Sequence, residues 1–259
     1  MEGTFAQPAA TIEAVGITKE FVFSGGRIPV LDHVSIEVPQ GSRVTIIGPS
    51  GCGKTTFLKI LAGILVPGSG EILHDAERID PRGKAAYMPQ SDTLLPWRSA
   101  LDNTILASEI DGRPREAARA EARELFTRFG LSGFENHYPA ELSGGMRQRL
   151  ALIRTFLAHR ELLLLDEPLG SLDALTRATM QEWLRSVWEE LGKTILLVTH
   201  DVEEAILLSD RIYLFSDRPA HVRQAFAVKL AQPRSRIADR FVAMKGEILD
   251  LIHTKEADG

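Results

Sequence analysis

The spacing of apolar residues along the chain predicts a sheet built from two kinds of strand. From His33 to Val38 the apolar residues fall on every second position, which is typical of a strand with one buried face. Four later stretches are almost continuously apolar, as expected of strands buried on both faces. They span residues 43–47, 162–165, 194–198 and 212–215.

Amphipathic patterns with the 3.6-residue period of a helix lie between these stretches. One starts at Pro114, in the position typical of a first-turn proline, and ends at Gly130. A second is closed by Gly192, and a third begins at Gly145. On the third helix three basic side chains are predicted to point largely outward: Arg147, Arg149 and Arg154. Long helices between buried strands favour a parallel α/β sheet.

Composition narrows the classes of protein that remain. Hydrophobic residues make up 44% and charged residues 25% of the 259 positions, which are ordinary values for a globular chain. The net charge of -5 provides no overall basic field for nucleic acid. No run approaches the roughly 18 apolar residues of a membrane span, and Met1–Thr4 shows no sign of a secretory signal. A single cysteine, Cys52, excludes an internal disulfide, so we expect a cytosolic chain.

A glycine-rich segment directly after the predicted strand 43–47 matches the pattern G-x-x-x-x-G-K-[ST]. It reads Gly48-Pro49-Ser50-Gly51-Cys52-Gly53-Lys54-Thr55. Glycines let consecutive backbone N–H groups point at phosphate oxygens, and the following helix adds its positive N-terminal end. Lys54 places a cation on the β- and γ-phosphates, and the Thr55 hydroxyl can bind Mg²⁺. A glycine-rich turn without function is the alternative, but the complete pattern between a strand and a helix favours a phosphate site.

Two acidic residues follow the apolar stretch 162–165, at the strand end where open α/β sheets bind ligands. We expect Asp166 to orient Mg²⁺ and Glu167 to polarise an attacking water as a general base. Taken alone, two acids after a strand more often only mark its exit from the core. Together with the phosphate loop, they predict a chain that binds and hydrolyses a nucleoside triphosphate.

Further short motifs follow in a fixed order. They are Gln90 in Tyr87-Met88-Pro89-Gln90, the octet Leu142-Ser143-Gly144-Gly145-Met146-Arg147-Gln148-Arg149, the triplet Ser171-Leu172-Asp173, and His200 in Val198-Thr199-His200-Asp201. Each has an ordinary structural explanation when taken alone, such as a capped helix start for the octet. In this order they resemble the glutamine loop, signature, D-loop and switch histidine of ATP-binding cassette (ABC) ATPases, over about residues 11–215.

The resemblance implies one ABC ATPase domain over residues 1–259. Its fold class would be α/β, with a P-loop NTPase (RecA-like) core, a mostly parallel sheet, an N-terminal antiparallel β subdomain and an inserted α-helical subdomain. The core would span residues 1–90 and 160–220, the helical subdomain 91–159 and a C-terminal extension 221–259.

The resemblance also implies roles for individual residues. In ABC proteins two cassettes pair head to tail, so each ATP lies between the phosphate loop of one copy and the signature of the other. The catalytic residues would be Glu167, His200 and Gln90, and Mg²⁺ would be bound by Thr55, Gln90 and Asp166. The ATP-binding residues would be Phe21, which stacks on adenine, and Gly48, Pro49, Ser50, Gly51, Cys52, Gly53, Lys54, Thr55 and Thr56. The contacts across the dimer would be Ser143, Gly144, Gly145 and Asp173.

Two residues of this site have alternative interpretations. Phe23 competes with Phe21 as the adenine platform, and either ring could belong to the core instead. Cys52 lies at a helix N-terminus, a setting that can lower a thiol pKa. A redox-sensitive thiol is therefore the alternative to a small residue that only fits the loop.

The resemblance implies partners as well. Without a membrane span, a transport ATPase would act as a homodimer on separate integral membrane permease subunits, at the cytoplasmic face of the inner membrane. A solute-binding protein would be an indirect partner, and no nucleic acid is expected. A non-transport ABC ATPase, for iron–sulfur assembly or bound to DNA, and an exporter ATPase are the alternatives.

The segment after the glutamine indicates a lineage. Gln90 to Arg98, with Leu94-Leu95-Pro96-Trp97 inside it, resembles the same region of importers for nitrate, sulfonates, taurine and related organic anions or pyrimidines. Trp97 either anchors a helix of the permease or belongs to the core of the helical subdomain.

Overall fold

The computed structural model describes residues 10–170 and 172–254. Met1–Thr4 and Ser171, which entered the sequence predictions, lie outside the described residues.

Strands and helices alternate along most of the chain. The strands are β1 (Ala10–Phe23), β2 (Gly26–Pro39), β3 (Arg43–Ile47), β4 (Ser69–His74), β5 (Glu77–Arg78), β6 (Ala85–Met88), β7 (Leu162–Asp166), β8 (Thr194–Val198), β9 (Arg211–Phe215) and β10 (Val222–Ala227). The helices are α1 (Lys54–Leu61), α2 (Ala100–Thr104), α3 (Leu106–Ile110), α4 (Arg115–Arg128), α5 (Gly144–Phe156), α6 (Ala174–Leu191), α7 (Val202–Leu208) and α8 (Asp239–His253), with a 3-10 turn at Pro139–Glu141.

The strands form two sheets. The larger has the order β10-β9-β3-β8-β7-β6, in which every neighbouring pair is parallel except β10 and β9. The smaller is antiparallel, with the order β2-β1-β4-β5. The four continuously apolar stretches correspond to β3, β7, β8 and β9, and the mostly parallel sheet that they predict is confirmed.

The larger sheet is covered on both faces, which explains why its strands carry so few polar residues. Along β7, Leu163 and Leu165 point into a core formed with α2, α4, α5 and α6. Leu162 and Leu164 point to the opposite face, into a core formed with α1 and the smaller sheet. This alternation follows from the two-residue period of a strand. It leaves the carboxyl edge of the sheet, with Asp166 at its border, as the place for polar chemistry.

The predicted helices are present, with two shifted starts. Helix α4 begins at Arg115, because Pro114 has non-helical backbone angles and is its N-cap. Helix α5 begins at Gly144 rather than Gly145, because the Ser143 hydroxyl accepts a hydrogen bond from the Met146 N–H and caps it. Helix α6 ends at Gly192, whose φ of +59° is the left-handed conformation that glycine adopts without strain. The arginines of α5, which were predicted to point largely outward, are half-buried.

These arginines bind backbone and carboxylate oxygens of the helical region. Arg147 Nε donates to the Asp92 carboxylate at 2.9 Å. Arg154 donates to the backbone carbonyls of Asp92 and Thr93 at 2.7 and 2.9 Å, and Arg149 reaches a carbonyl at the end of α4 at 2.7 Å. Their stems run along apolar surface while their guanidinium groups reach these oxygens. The segment after Gln90 is therefore fastened to α5.

The region after β9, whose fold the sequence left open, forms β10 and α8. Helix α8 packs on α7, and Lys245 Nζ lies 2.6 Å from the Glu203 carboxylate. Arg234, in the connection between β10 and α8, has only 3% of its side chain exposed and donates to the carbonyls of Ile206 and Ser209 at 2.7 Å. Since the last carbonyls of a helix lack partners within the helix, Arg234 stabilises the end of α7.

Within residues 10–170 and 172–254, the structure contains no helix of the length and apolarity needed to cross a bilayer.

Candidate active site

A cavity of about 450 Å³ opens at the carboxyl edge of the larger sheet, between the segment after β3 and the tip of the β1–β2 hairpin. Most of its walls come from residues that the sequence had singled out. These are Phe21, Ser50, Gly51, Gly53, Lys54, Thr55, Thr56, Gln90 and Glu167. Its size is that of a small-molecule site.

The glycine-rich loop wraps around the side chain of Lys54. The ammonium group is buried, with 6% of the residue exposed, and donates to the carbonyl oxygens of Gly48 and Pro49 at 2.7 and 2.8 Å. Lys54 is also the first residue of α1, so its positive charge and the positive end of the helix share one location. The loop is thus an anion-binding cradle with a fixed cation at its centre.

Gly53 is a loop position that strongly favours glycine. Its φ of +132° is disfavoured for L side chains, and a Cβ there would lie 3.0 Å from Val30 and Leu31. This contact brings the loop against β2, which forms the adjacent wall of the cavity. The glycine of the motif therefore allows close packing as well as a tight turn.

Asp166 ends β7 beside the loop and holds two hydroxyl groups. Thr55 Oγ1 donates to Asp166 Oδ1 at 3.1 Å, and the Tyr87 hydroxyl donates to Asp166 Oδ2 at 3.2 Å. Burial raises the pKa of Asp166, while these two hydrogen bonds act in the opposite direction. Burial, with the nearby Asp166 charge, also raises the pKa of Tyr87, which stays a neutral donor.

The pair of Thr55 and Asp166 suits a magnesium ion. Mg²⁺ usually takes only one or two protein oxygens and completes its shell with water and phosphate oxygens. A hydroxyl and a carboxylate oxygen 3.1 Å apart, next to a phosphate cradle, provide this donor set. Among the described residues no hydrogen bond joins Gln90 to Thr55 or Asp166; its amide nitrogen donates to Glu167 instead.

Glu167 is where three predicted catalytic residues meet. Gln90 Nε2 donates to Glu167 Oε2 at 3.0 Å, and His200 Nδ1 lies 3.3 Å from Glu167 Oε1. The carboxylate is mostly enclosed, with 19% of its side chain exposed, whereas the His200 side chain is 59% exposed. Two different groups therefore orient one carboxylate at the rim of the cavity, as a general base requires.

The backbone of Glu167 is also unusual. Its φ of +49° lies in the left-handed region, which side chains other than glycine, asparagine and aspartate seldom adopt. The Glu167 N–H donates to the Val198 carbonyl at 2.9 Å, which ties the residue to the end of β8. The turn thereby directs the carboxylate towards the phosphate loop, where Glu167 lines the cavity.

The predicted trans-acting residues lie outside this cavity. Ser143 and Gly144 are exposed at the start of α5, and Gly145 is half-buried. Asp173 is exposed and caps α6, since its carboxylate accepts from the Thr176 N–H at 3.0 Å, and this hydrogen bond lowers the pKa of Asp173. The chain does not bring these four residues to its own phosphate loop.

The structure gives different outcomes for Phe21 and Cys52, the two residues with alternative interpretations. Phe21 is 40% exposed and lines the cavity, whereas Phe23 lies against Gly25 and is not among the lining residues. Cys52 is buried, and burial raises the pKa of its thiol more than the nearby Lys54 lowers it. The lowered thiol pKa considered from the sequence is wrong, and nothing in the geometry favours a redox-sensitive thiol.

Three lining residues escaped the sequence analysis: Ile28, Val30 and Arg218. Ile28 is the cross-strand partner of Phe21, so the alternation of β2 together with the hairpin register could have revealed it and Val30. Arg218 comes from the loop after β9, next to β3 in the sheet. No local pattern in the sequence indicates that strand order.

The chain is similar to several known proteins. The model of the family described as ABC transporter matches residues 31–170. The formylaminopyrimidine import ATP-binding protein ThiZ of Halalkalibacterium halodurans is 47% identical over 193 residues, which are 74% of this chain and 76% of that protein. The taurine import ATP-binding protein TauB of Yersinia pestis is 42% identical over 205 residues, 79% of this chain and 80% of that one.

Three further similarities cover more of the chain. The aliphatic sulfonates import ATP-binding protein SsuB of Bacillus cereus is 39% identical over 240 residues, 92% of this chain and 94% of that protein. Among solved structures, the dimeric structure of a bacterial ABC transporter cassette aligns with a TM-score of 0.75 and 29% identity, over 85% of this chain and 100% of that chain. A structure of the same cassette in a post-hydrolysis state, bound to ADP and Pi, aligns equally well.

Proposed function

The chain belongs to the ABC transporter family, as its motifs predicted, and from this premise we propose that it is the ATP-hydrolysing subunit of an importer. The observation that carries the proposal is the Glu167 carboxylate, held between Gln90 and His200 at the rim of the cavity that contains Lys54. A general base beside a phosphate cradle is the arrangement that hydrolysis of a γ-phosphate needs, and the geometry supports this role for Glu167.

Each group has a distinct task in the proposed reaction. Lys54 and the N-terminus of α1 bind the phosphates, and Phe21 stacks on the adenine. Glu167 accepts a proton from the attacking water, which Gln90 helps to orient. His200 holds the carboxylate and donates towards the γ-phosphate as negative charge develops there.

Magnesium has a defined place in this proposal. Mg²⁺ bound between the Thr55 hydroxyl and Asp166 would neutralise phosphate charge. Gln90 belongs to the same set by prediction. Thr55 and Asp166 are already side by side, so binding requires no rearrangement of β7 or α1.

We propose that two copies pair head to tail to complete the site. Ser143, Gly144 and Gly145 present a hydroxyl, exposed N–H groups and a helix N-terminus, yet they lie outside the cavity of their own chain. A second phosphate cradle without a lysine needs a nucleotide held by another copy. The dimeric assembly named for the related cassette structure supports this pairing.

The solute class and the membrane partner follow from the relatives. The related proteins are named for import of formylaminopyrimidine, taurine and aliphatic sulfonates. We propose a small organic anion or pyrimidine as the solute, carried by separate permease subunits at the cytoplasmic face of the membrane, with a solute-binding protein as an indirect partner. The exposed Trp97, at 72%, supports a docking surface on the segment after Gln90.

The test is Glu167→Gln in the full chain. The variant should keep ATP affinity and lose hydrolysis by roughly 10²-fold or more, because it lacks the proton acceptor. Glu161→Gln, at the opposite end of β7, makes the same chemical change at an exposed position and should keep wild-type turnover. Lys54→Ala should lose ATP binding itself.

The same variant tests the pairing. Saturating ATP should convert Glu167→Gln from monomer to dimer in sedimentation, because bound ATP joins the two copies and is not hydrolysed. Near-wild-type turnover of Glu167→Gln would refute the general base. A chain that stays monomeric with saturating ATP would contradict the shared site.

A further inference from the structure

Glu204 is a buried carboxyl group under the turn that carries His200. The residue is 3% exposed and is the third residue of α7, whose cap is the Asp201 carboxylate. The Thr199 hydroxyl donates to Glu204 Oε2 at 3.4 Å and accepts from the Asp201 N–H at 3.1 Å. The Thr199 hydroxyl therefore links Glu204 to the backbone of Asp201, on the other side of His200.

The other carboxyl oxygen is in a different environment. Within the described residues, Glu204 Oε1 is buried without a hydrogen-bond partner. Arg177 of α6 is the nearby cation, but its guanidinium donates to the Leu172 carbonyl at 2.8 Å, and no ion pair within 4 Å joins it to Glu204 in that part of the chain. Burial of this kind favours the protonated form of the acid.

Two negative groups near Glu204 favour its protonated form, and Arg177 acts in the opposite direction. Asp201 lies on its own turn and Glu167 at the end of β7, both negative. On α8, Lys245 faces the neighbouring Glu203 instead, and on β3 the charged Arg43 pairs with Asp210. Burial first, and the Asp201 charge second, raise the pKa of Glu204 to about 8.

We infer that Glu204 is a positioning residue, which acts through the Thr199 hydroxyl to hold the turn that presents His200 to Glu167. The inference rests on the proposed function, because it concerns the histidine of that site. The Thr199 N–H is anchored to the Ile46 carbonyl of β3 at 3.2 Å, so the turn is fixed at its start by the sheet and at its end by α7. We expect ionisation of Glu204 to displace this turn, because it adds a third negative charge beside Asp201 and Glu167.

The first measurement is the pH dependence of kcat at saturating MgATP, using the full chain. With a pKa of about 8, about nine-tenths of the Glu204 carboxyls are protonated at pH 7 and about one-tenth at pH 9. We expect wild-type kcat to fall about tenfold over this interval. Glu204→Gln keeps a neutral group of the same shape, so its kcat should stay within about twofold of wild type at pH 7 and fall less than about threefold by pH 9. Glu203→Gln removes a half-buried charge at the adjacent position, where Glu203 pairs with Lys245, and should keep the tenfold fall.

The second measurement is thermal unfolding, which does not depend on catalysis. The folded-state pKa of Glu204 lies above its ordinary value of 4.5. Its contribution to stability is therefore complete below pH 4.5 and is lost as the pH rises through 8. The melting temperature of the wild type should fall relative to that of Glu204→Gln between pH 5 and pH 8, whereas the difference from Glu203→Gln should stay constant.

Substitutions of Thr199 provide a third test. Thr199→Val removes the linking hydroxyl at nearly constant volume and should lower kcat at pH 7, and Thr199→Ser should restore it. An alkaline fall that persists unchanged in Glu204→Gln, or a Thr199→Val variant with wild-type kcat, would overturn the inference. A wild-type chain without ATPase activity at any pH would instead overturn the proposed function, and the melting comparison would still test the protonation of Glu204.

Discussion

Asn103 of α2 is the buried polar side chain whose replacement should weaken the helical region most. It is fully buried, and its Oδ1 accepts from the Leu95 N–H at 2.8 Å. Its Nδ2 donates to the carbonyls of Leu95, Arg98 and Ser99, each at 3.1 Å. One amide group thereby fixes the loop that carries Trp97.

The magnitude follows from these four hydrogen bonds. A buried hydrogen bond contributes about 1 kcal/mol net, and truncation leaves its partners unsatisfied unless water reaches them. Asn103→Ala should lower the free energy of unfolding by about 3 kcal/mol, since the half-buried loop regains part of its hydration. For a domain of this size that corresponds to a fall of about 6–12 °C in Tm.

A second substitution separates lost hydrogen bonds from a simple cavity. Asn103→Asp keeps the side-chain volume, but at neutral pH it turns a charged oxygen towards three carbonyl oxygens, which is unfavourable in a buried site. It should therefore be less stable than Asn103→Ala at pH 7, although it creates no cavity. The assay is thermal and urea unfolding followed by circular dichroism, with the exposed Asn136→Ala as the control. The reasoning is wrong if Asn103→Ala lowers Tm by less than about 2 °C, or if Asn103→Asp is the more stable variant.

Two other substitutions have distinct expected results. Trp97→Ala should leave Tm and basal hydrolysis nearly unchanged, because the ring is 72% exposed, and should abolish co-purification with the permease; Leu94→Ala, at an 8% exposed position, should instead lower Tm. A Trp97→Ala chain that still co-purifies would contradict the docking surface. Arg234→Met should lower the free energy of unfolding by about 3 kcal/mol in urea titrations, because charged hydrogen bonds to the last carbonyls of α7 are lost. A wild-type urea midpoint would show that these bonds contribute nothing.

Contiguous features of the fold and site could be predicted from the sequence. The stretches at β3, β7 and β8 are apolar on both faces because helices or the second sheet cover both sides, and this signal is local. The phosphate loop could likewise be predicted, since its pattern occupies consecutive residues. Gln90, Glu167 and His200 are far apart in the chain, and only the order of their motifs indicated that they belong together.

Features that depend on contacts between distant segments could not be predicted. Arg147 and Arg154 looked solvent-exposed by period, but their partners at Asp92 and Thr93 come from another segment. The helix N-terminus beside Cys52 was visible, whereas the burial that outweighs its effect on the thiol pKa was not. Burial of long polar side chains is decided by neighbours that a period does not reveal.

Because the segment after Gln90 is bound to α5, a movement of that segment can be transmitted along the helix to Ser143. From Arg154 to Ser143 the helix measures roughly 16 Å at 1.5 Å per residue. A tilt of about 10° about the Arg154 end moves Ser143 by about 3 Å over that length, which is the length of one hydrogen bond. Asp92 and Thr93 bind α5 at Arg154, and Asp92 also binds it at Arg147. A displacement of this loop that tilts α5 about Arg154 therefore moves Ser143 further than Arg147. In the proposed dimer, a displacement of this size would make or break a hydrogen bond of the Ser143 hydroxyl while leaving every helix intact.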